Sequence, residues 1–133
     1  MRVLFFLLIL YFIFRKDSQN KNMRIEINSN LTNMTDGVLY IKLSGDIDHH
    51  TAKEVRDSVD NLIKRTNPVE LELDLSDIEF MDSSGLGLVL GRYKKQTEMG
   101  GKMKILNPTK RVMQILQLAG VEKIIKIERI RQI

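Results

Sequence analysis

Val69, Leu71, Leu73 and Leu75 alternate with Glu70, Glu72 and Asp74, and on both sides this two-residue beat gives way to apolar residues three and four apart. A strand repeats every two residues and a helix every 3.6, so the segment reads as a strand held between two helices. Upstream the helical stripe is Ala52, Val55, Val59, Leu62 and Ile63, and downstream it is Leu86, Val89, Leu90 and Tyr93. The first predicts a helix over about 51–65, with Thr51 and Glu54 spaced as a capping box, Asp48 as a rival N-cap, and Pro68 as the breaker. The second predicts a helix running to about Met99 and stopping at Gly100 and Gly101.

The rest of the chain from Met23 continues the alternation. Residues 24–27 and 38–43 are short β-branched runs joined by a polar turn ending in Asp36 and Gly37, which predicts a hairpin. Residues 102–106 predict a strand, Asn107 and Pro108 an N-cap and first-turn proline, and Val112, Ile115, Leu116 and Ala119 a third helix stopped by Gly120. Residues 124–127 read as a last strand. The resulting order, β-β-α-β-α-β-α-β, is an α/β domain in which each helix links two strands and ligands or partners meet the carboxyl ends of the strands. Two loops fall on that edge, residues 45–50 and residues 82–85.

Composition divides the chain. Residues 3–14, VLFFLLILYFIF, are twelve consecutive apolar positions, too few for a 30 Å hydrocarbon core, which takes about 20 residues. No small-residue cleavage site follows them. Residues 1–22 are therefore expected to be a hydrophobic then polar tail whose readings are a start site placed too early, a short membrane anchor or an export signal, with residues 23–133 as the domain. The tail holds three of the four net positive charges, which leaves the domain at +1 and weakens any charge-based argument for nucleic acid. The chain has no cysteine, which excludes disulfides, thiolate metal sites and cysteine nucleophiles. The adjacent His49 and His50 do not make a metal site by themselves.

The stretch Asp82-Ser83-Ser84-Gly85 carries the most chemistry. In one reading a serine or Asp82 caps the helix. In the other, a serine hydroxyl at a helix start receives a phosphate, because free N–H groups and the helix dipole favour the added negative charge. Gly85 and Gly87 begin a dinucleotide fingerprint, but Leu90 stands where its third glycine belongs, and no Walker lysine motif is present. Glycines cost a helix about 0.5–1 kcal/mol each relative to alanine, so Gly87 and Gly91 suggest a close approach by something. Leu88 is expected on the side away from the core stripe, exposed between these glycines as a partner contact or else covered by a neighbouring element. Arg92, Lys94 and Lys95 read as a solvated face suited to the helix C-terminus. Asp46 and Asp48 read as capping or partner-recognition residues rather than a catalytic pair.

The segments Gly45-Asp46-Ile47-Asp48-His49-His50-Thr51-Ala52 and Phe80-Met81-Asp82-Ser83-Ser84-Gly85-Leu86-Gly87, continued by Leu90-Gly91-Arg92-Tyr93-Lys94, resemble the STAS-domain anti-sigma factor antagonists. The likeness covers about residues 23–127. It implies a single STAS-like domain with a small mixed sheet and helices mainly on one side. It also implies partner switching without catalysis, metal or cofactor. The unmodified protein binds an anti-sigma factor that is also a serine kinase and frees a sigma factor. Phosphorylation on the serine matching Ser84 ends binding, and a serine phosphatase resets it. By the same resemblance Asp46, Asp48, Asp82, Ser83 and Gly85 belong to the partner face, which Gly87, Leu88 and Gly91 would extend. Such a protein is cytoplasmic and makes no direct contact with nucleic acid. The rival is a membrane-tethered regulatory STAS module of a transporter or sensory assembly, which requires residues 3–14 to be retained.

Overall fold

The computed structural model of the chain describes residues 24–29 and 37–130. Its elements are β1 (Arg24–Ser29), β2 (Val38–Ile47), α1 (His49–Thr66), β3 (Glu70–Met81), α2 (Ser83–Glu98), β4 (Lys102–Leu106), α3 (Lys110–Leu118), a 3-10 turn at Val121–Lys123, and β5 (Lys126–Glu128). The order is the one the periodicities predict. The five strands form one sheet in sequence order, with β1 antiparallel to β2 and β2, β3, β4 and β5 mutually parallel. The hydrophobic tail at residues 3–14 lies outside the described residues.

Alternation decides which side of the sheet is dry. Leu39, Ile41 and Leu43 of β2, Leu71, Leu73 and Leu75 of β3, and Met103 and Ile105 of β4 join Val55, Val59, Leu62 and Ile63 of α1, Leu88 and Val89 of α2, and Val112 and Leu116 of α3 in a single core cluster. Each such aliphatic side chain contributes about 1.5–3 kcal/mol on burial, so this shared face fixes all three helices against one side of the sheet. The intervening residues point the other way, where Lys104 pairs with Glu70 at 3.0 Å and Lys126 with Glu128 at 2.7 Å. Asp74 lies on this polar side yet is buried. It is 1% exposed and accepts hydrogen bonds from the Tyr40 hydroxyl and the Ser76 backbone N–H.

Three helix starts and faces differ from the sequence reading. The capping box of α1 is made by Asp48, not Glu54: its carboxylate accepts from His50 and Thr51 while the Thr51 hydroxyl accepts from the Asp48 N–H, so the helix begins two residues early. At α3 the cap is Thr109, whose hydroxyl accepts from Val112 N. Asn107 instead turns the chain with a left-handed backbone (φ 54°), and its side-chain oxygen accepts from Ile130 N. The buried face of α2 is Gly85, Leu88, Val89, Arg92 and Gln96, rotated from the predicted stripe and leaving Leu90 partly exposed. Gln96 is drawn inward by a hydrogen bond from its Nε2 to the carbonyl of Pro68 at 2.8 Å, an anchor for the loop that enters β3.

Candidate functional site

The site is built by an irregularity in β3. Up to Asp74 the strand is in plain register with β2, Lys42 facing Asp74. Beyond it Ser44 faces Asp77, and Ile47 faces Met81, so β3 gains one extra residue at each of two bulges. The buried apolar spacing changes with it, from the two-residue step ending at Leu75 to the three-residue steps of Ile78 and Met81. Bulges bend a strand and re-aim its end. Here they bring the carboxyl ends of β2 and β3 level, so that the α1 start after Ile47 and the α2 start after Met81 lie side by side.

At the second of these starts Asp82 is the N-cap. Its Oδ1 accepts from Ser84 N at 2.8 Å and Gly85 N at 3.3 Å. Gly85 is buried against Met81, where a Cβ would stand 2.5 Å from the Met81 Cβ, so only glycine lets the helix leave the strand this tightly. Ser83 is exposed and Ser84 half-buried. The Ser84 hydroxyl has no hydrogen-bond partner among the described residues, and two of the N–H groups that a phosphate was expected to use at this helix end, those of Ser84 and Gly85, are held by Asp82.

Ser84 opens onto a cavity of about 430 Å³ between α1 and α2, lined by His49, Ala52, Lys53, Arg56, Gly87 and Leu88 as well as the serine. Three of these side chains are basic and none is acidic. Lys53 and Arg56 were not singled out from the sequence, although with His49 they follow the one-face spacing of a helix. The acids of the site stand at its rim: Asp46 is exposed on the last stretch of β2, and Asp48 is engaged as the α1 cap. Burial alone would raise the Asp48 pKa, but the backbone N–H groups of Thr51 and His50 and the Thr51 hydroxyl hold it below the ordinary carboxylate value.

Two expectations on α2 are corrected. Leu88 is not exposed as a partner contact: it is 4% accessible and belongs to the core, the other of the two readings. The glycines on either side do stay open, since a Cβ at Gly87 or Gly91 would meet nothing within 4 Å. Arg92 is not part of a solvated basic face. It is 5% exposed and its Nε lies 2.8 Å from Asp60 of α1. Burial lowers the Arg92 pKa, with Asp60 opposing that shift and nearby Arg56 adding to it. A further feature at the β3 end escaped the sequence reading: the guanidinium of Arg111 on α3 stacks 5.2 Å from the ring of Phe80, which remains 43% exposed.

Among the described residues no helix is long and apolar enough to cross a membrane. The STAS domain signature matches residues 31–132. An anti-sigma F factor antagonist from Paenibacillus polymyxa is 43% identical over 91 residues, which span 68% of this chain and 78% of that protein. The solved structure of the anti-sigma factor antagonist SpoIIAA in its unphosphorylated form superposes with a TM-score of 0.69 at 26% identity, covering 82% of this chain and 90% of its own. The solved structure of the Bacillus cell fate determinant SpoIIAA in the phosphorylated form gives a TM-score of 0.64 at 25% identity, covering 82% of this chain and 93% of its own.

Proposed function

Because the chain belongs to the STAS domain family, we propose that it is an anti-sigma factor antagonist whose binding is switched by phosphorylation of Ser84. The observation that carries this reading is the Ser84 hydroxyl at the start of α2, unpartnered among the described residues, on the sheet edge where the β2 and β3 loops meet. In its unmodified form the protein docks this edge on an anti-sigma factor and releases a sigma factor. The partner is also a serine kinase: ATP supplies the phosphoryl group, the Ser84 oxygen gives up its proton, and ADP leaves. A phosphoserine adds about −1.5 to −2 charges and three acceptor oxygens where a neutral hydroxyl had docked, and that ends binding. A separate serine phosphatase restores the hydroxyl.

The protein performs no chemistry itself in this scheme. Asp46, Asp48, Asp82, Ser83, Gly87 and Gly91 surround Ser84 as the docking face, while Gly85 and Leu88 support it from beneath. The working unit is residues 23–133, and it acts in the cytoplasm. The relatives support the reading, since SpoIIAA has been solved in both unphosphorylated and phosphorylated forms. The test is to mix the purified protein with its cognate anti-sigma factor and ATP. Wild type should gain one phosphate and Ser84→Ala none. A Ser84→Ala variant modified as readily as wild type overturns the assignment, and a Ser84→Asp variant that binds as tightly as wild type overturns the electrostatic switch.

A further inference from the structure

We propose that Lys53 and Arg56 of α1, with His49, form a built-in receptor for the phosphate on Ser84, so that the modified protein closes an intramolecular ion pair between α1 and α2. The inference rests on the reading of Ser84 as the modified residue and adds where its phosphate goes.

Helix α2 alone offers the group little. Asp82 accepts from the N–H groups of Ser84 and Gly85, so two of the donors normally offered by a helix start are taken, and by a carboxylate. The cations must come from elsewhere. The cavity beside Ser84 supplies them from one source, the facing side of α1 at His49, Lys53 and Arg56. Pairing of Ile47 with Met81 sets the two helix starts level, and both helices run back against parallel strands, so they lie side by side in the same direction. Side chains on a helix lean toward its N-terminus. Lys53 and Arg56, one and two turns into α1, therefore lean back toward the level of Ser84.

The charges match. Two fixed cations face a group of about −1.5 to −2, and the remaining lining residues, Ala52, Gly87 and Leu88, carry no charge. Of the nearby acids, Asp48 and Asp82 cap their helices and Asp60 is paired with Arg92, while Asp57, 3.6 Å from Arg56 on the exposed side, is a competitor that the phosphate with its higher charge displaces. Arg92, about two turns beyond Ser84 on α2, has its charge largely offset by Asp60. Its buried Nη1 has no hydrogen-bond partner among the described residues, so an anion in the cavity relieves repulsion between Arg56 and Arg92. The glycine at 87 keeps the space open, since no side chain enters it there. Phosphorylation thus does two things at the docking edge: it removes the hydroxyl and it fills a cationic cleft that the unmodified form presents to its partner.

The experiment uses the full chain with phosphoserine installed at position 84 during synthesis, so that no kinase is needed, and follows its phosphorus resonance against pH. A free phosphoserine titrates near pH 6, and the receptor should move this down by at least about half a unit. The Lys53→Gln, Arg56→Gln double variant should return it to near 6. Lys94→Gln, which removes a charge from an exposed position on α2 outside the cavity, should leave the shift in place. Circular dichroism of the unmodified double variant checks that the fold is kept, as expected for two exposed positions. A wild-type phosphate that titrates near 6, or an equal shift in the double variant, overturns the receptor. Incubation of unmodified protein with partner and ATP judges the functional reading separately: no phosphate on Ser84 there removes that reading, while the installed phosphate still decides the receptor.

Discussion

The carboxylate of Asp82 accepts the backbone N–H of Ser84 at 2.8 Å, so the residue that starts the helix also closes that N–H to any anion placed on the serine. Capping and switching are thereby divided between neighbours. Asp82 holds the backbone, and the Ser84 side chain is left over for a partner.

That division predicts different outcomes for two substitutions at one position. Asp82→Ala removes the cap and should lower unfolding stability by about 0.5–2 kcal/mol, read as a reduced urea midpoint at unchanged slope. Asp82→Asn caps nearly as well and should stay close to wild type. If Asp82→Asn nevertheless binds the anti-sigma factor more weakly, the charge of Asp82 acts at the interface and its hydrogen bonds act in the fold.

The three glycines of α2 should separate in the same way. Gly85→Ala forces a Cβ to within 2.5 Å of the Met81 Cβ and should destabilise, because both atoms are fixed to backbone. Gly87→Ala and Gly91→Ala meet nothing and should stabilise the isolated protein by about 0.5–1 kcal/mol by the ordinary helix preference for alanine. If either also weakens partner binding in a titration, the absent side chain was making room for the partner. Destabilisation at 87 or 91 would contradict the open space around these two positions.

The element order was legible because β3 and its flanking helices keep distinct periods over many residues, and the serine motif was legible because it interrupts both. What escaped were residues whose placement depends on a second element. The face of α2 was misjudged because Arg92 and Gln96 are polar yet buried, one held by Asp60 and the other by the Pro68 carbonyl, and nothing within α2 announces either partner. Leu88 followed the same error, since removing Arg92 and Gln96 from the stripe rotates it away from Leu88. The start of α1 turned on a contest between Asp48 and Thr51, which proved to be the two halves of one box. The double bulge in β3 left a trace in the step from two to three between Leu75, Ile78 and Met81, but a change of period at a strand end reads equally well as a loop.

The Arg92 and Asp60 pair yields a third prediction. Asp60→Ala leaves a guanidinium that is 5% exposed without its counter-charge and should cost about 1–3 kcal/mol, less than a fully enclosed pair would because the Asp60 side chain is 28% exposed. Adding Arg92→Met should recover much of that loss, since an apolar side chain of similar length suits the site better than an orphaned charge. A double variant no more stable than Asp60→Ala would mean that Arg92 is held by contacts other than the pair.

The last prediction concerns acid. Burial alone would raise the pKa of Asp74, yet the Tyr40 hydroxyl, Ser76 and Asn107 bring it below the ordinary aspartate value. A carboxylate whose folded pKa is lowered contributes stability that is fully present above its unfolded value near 3.9 and is lost as pH falls through the folded value. Glu72 on the same face works the other way: burial first, then Glu70, raises its pKa, so ionised Glu72 opposes folding and its protonation favours it. Stability should therefore rise slightly as pH falls from neutral through the titration of Glu72, then drop below about pH 4 as Asp74 protonates. Tyr40→Phe should cost about 1–3 kcal/mol at pH 7, where Asp74 loses a donor to its charge, and the gap from wild type should narrow below pH 4. Glu72→Gln should abolish the slight rise and leave the acid drop. Urea unfolding from pH 3 to 7 checks all three proteins, and a Tyr40→Phe curve parallel to wild type throughout would show that the hydroxyl does not stabilise the Asp74 charge.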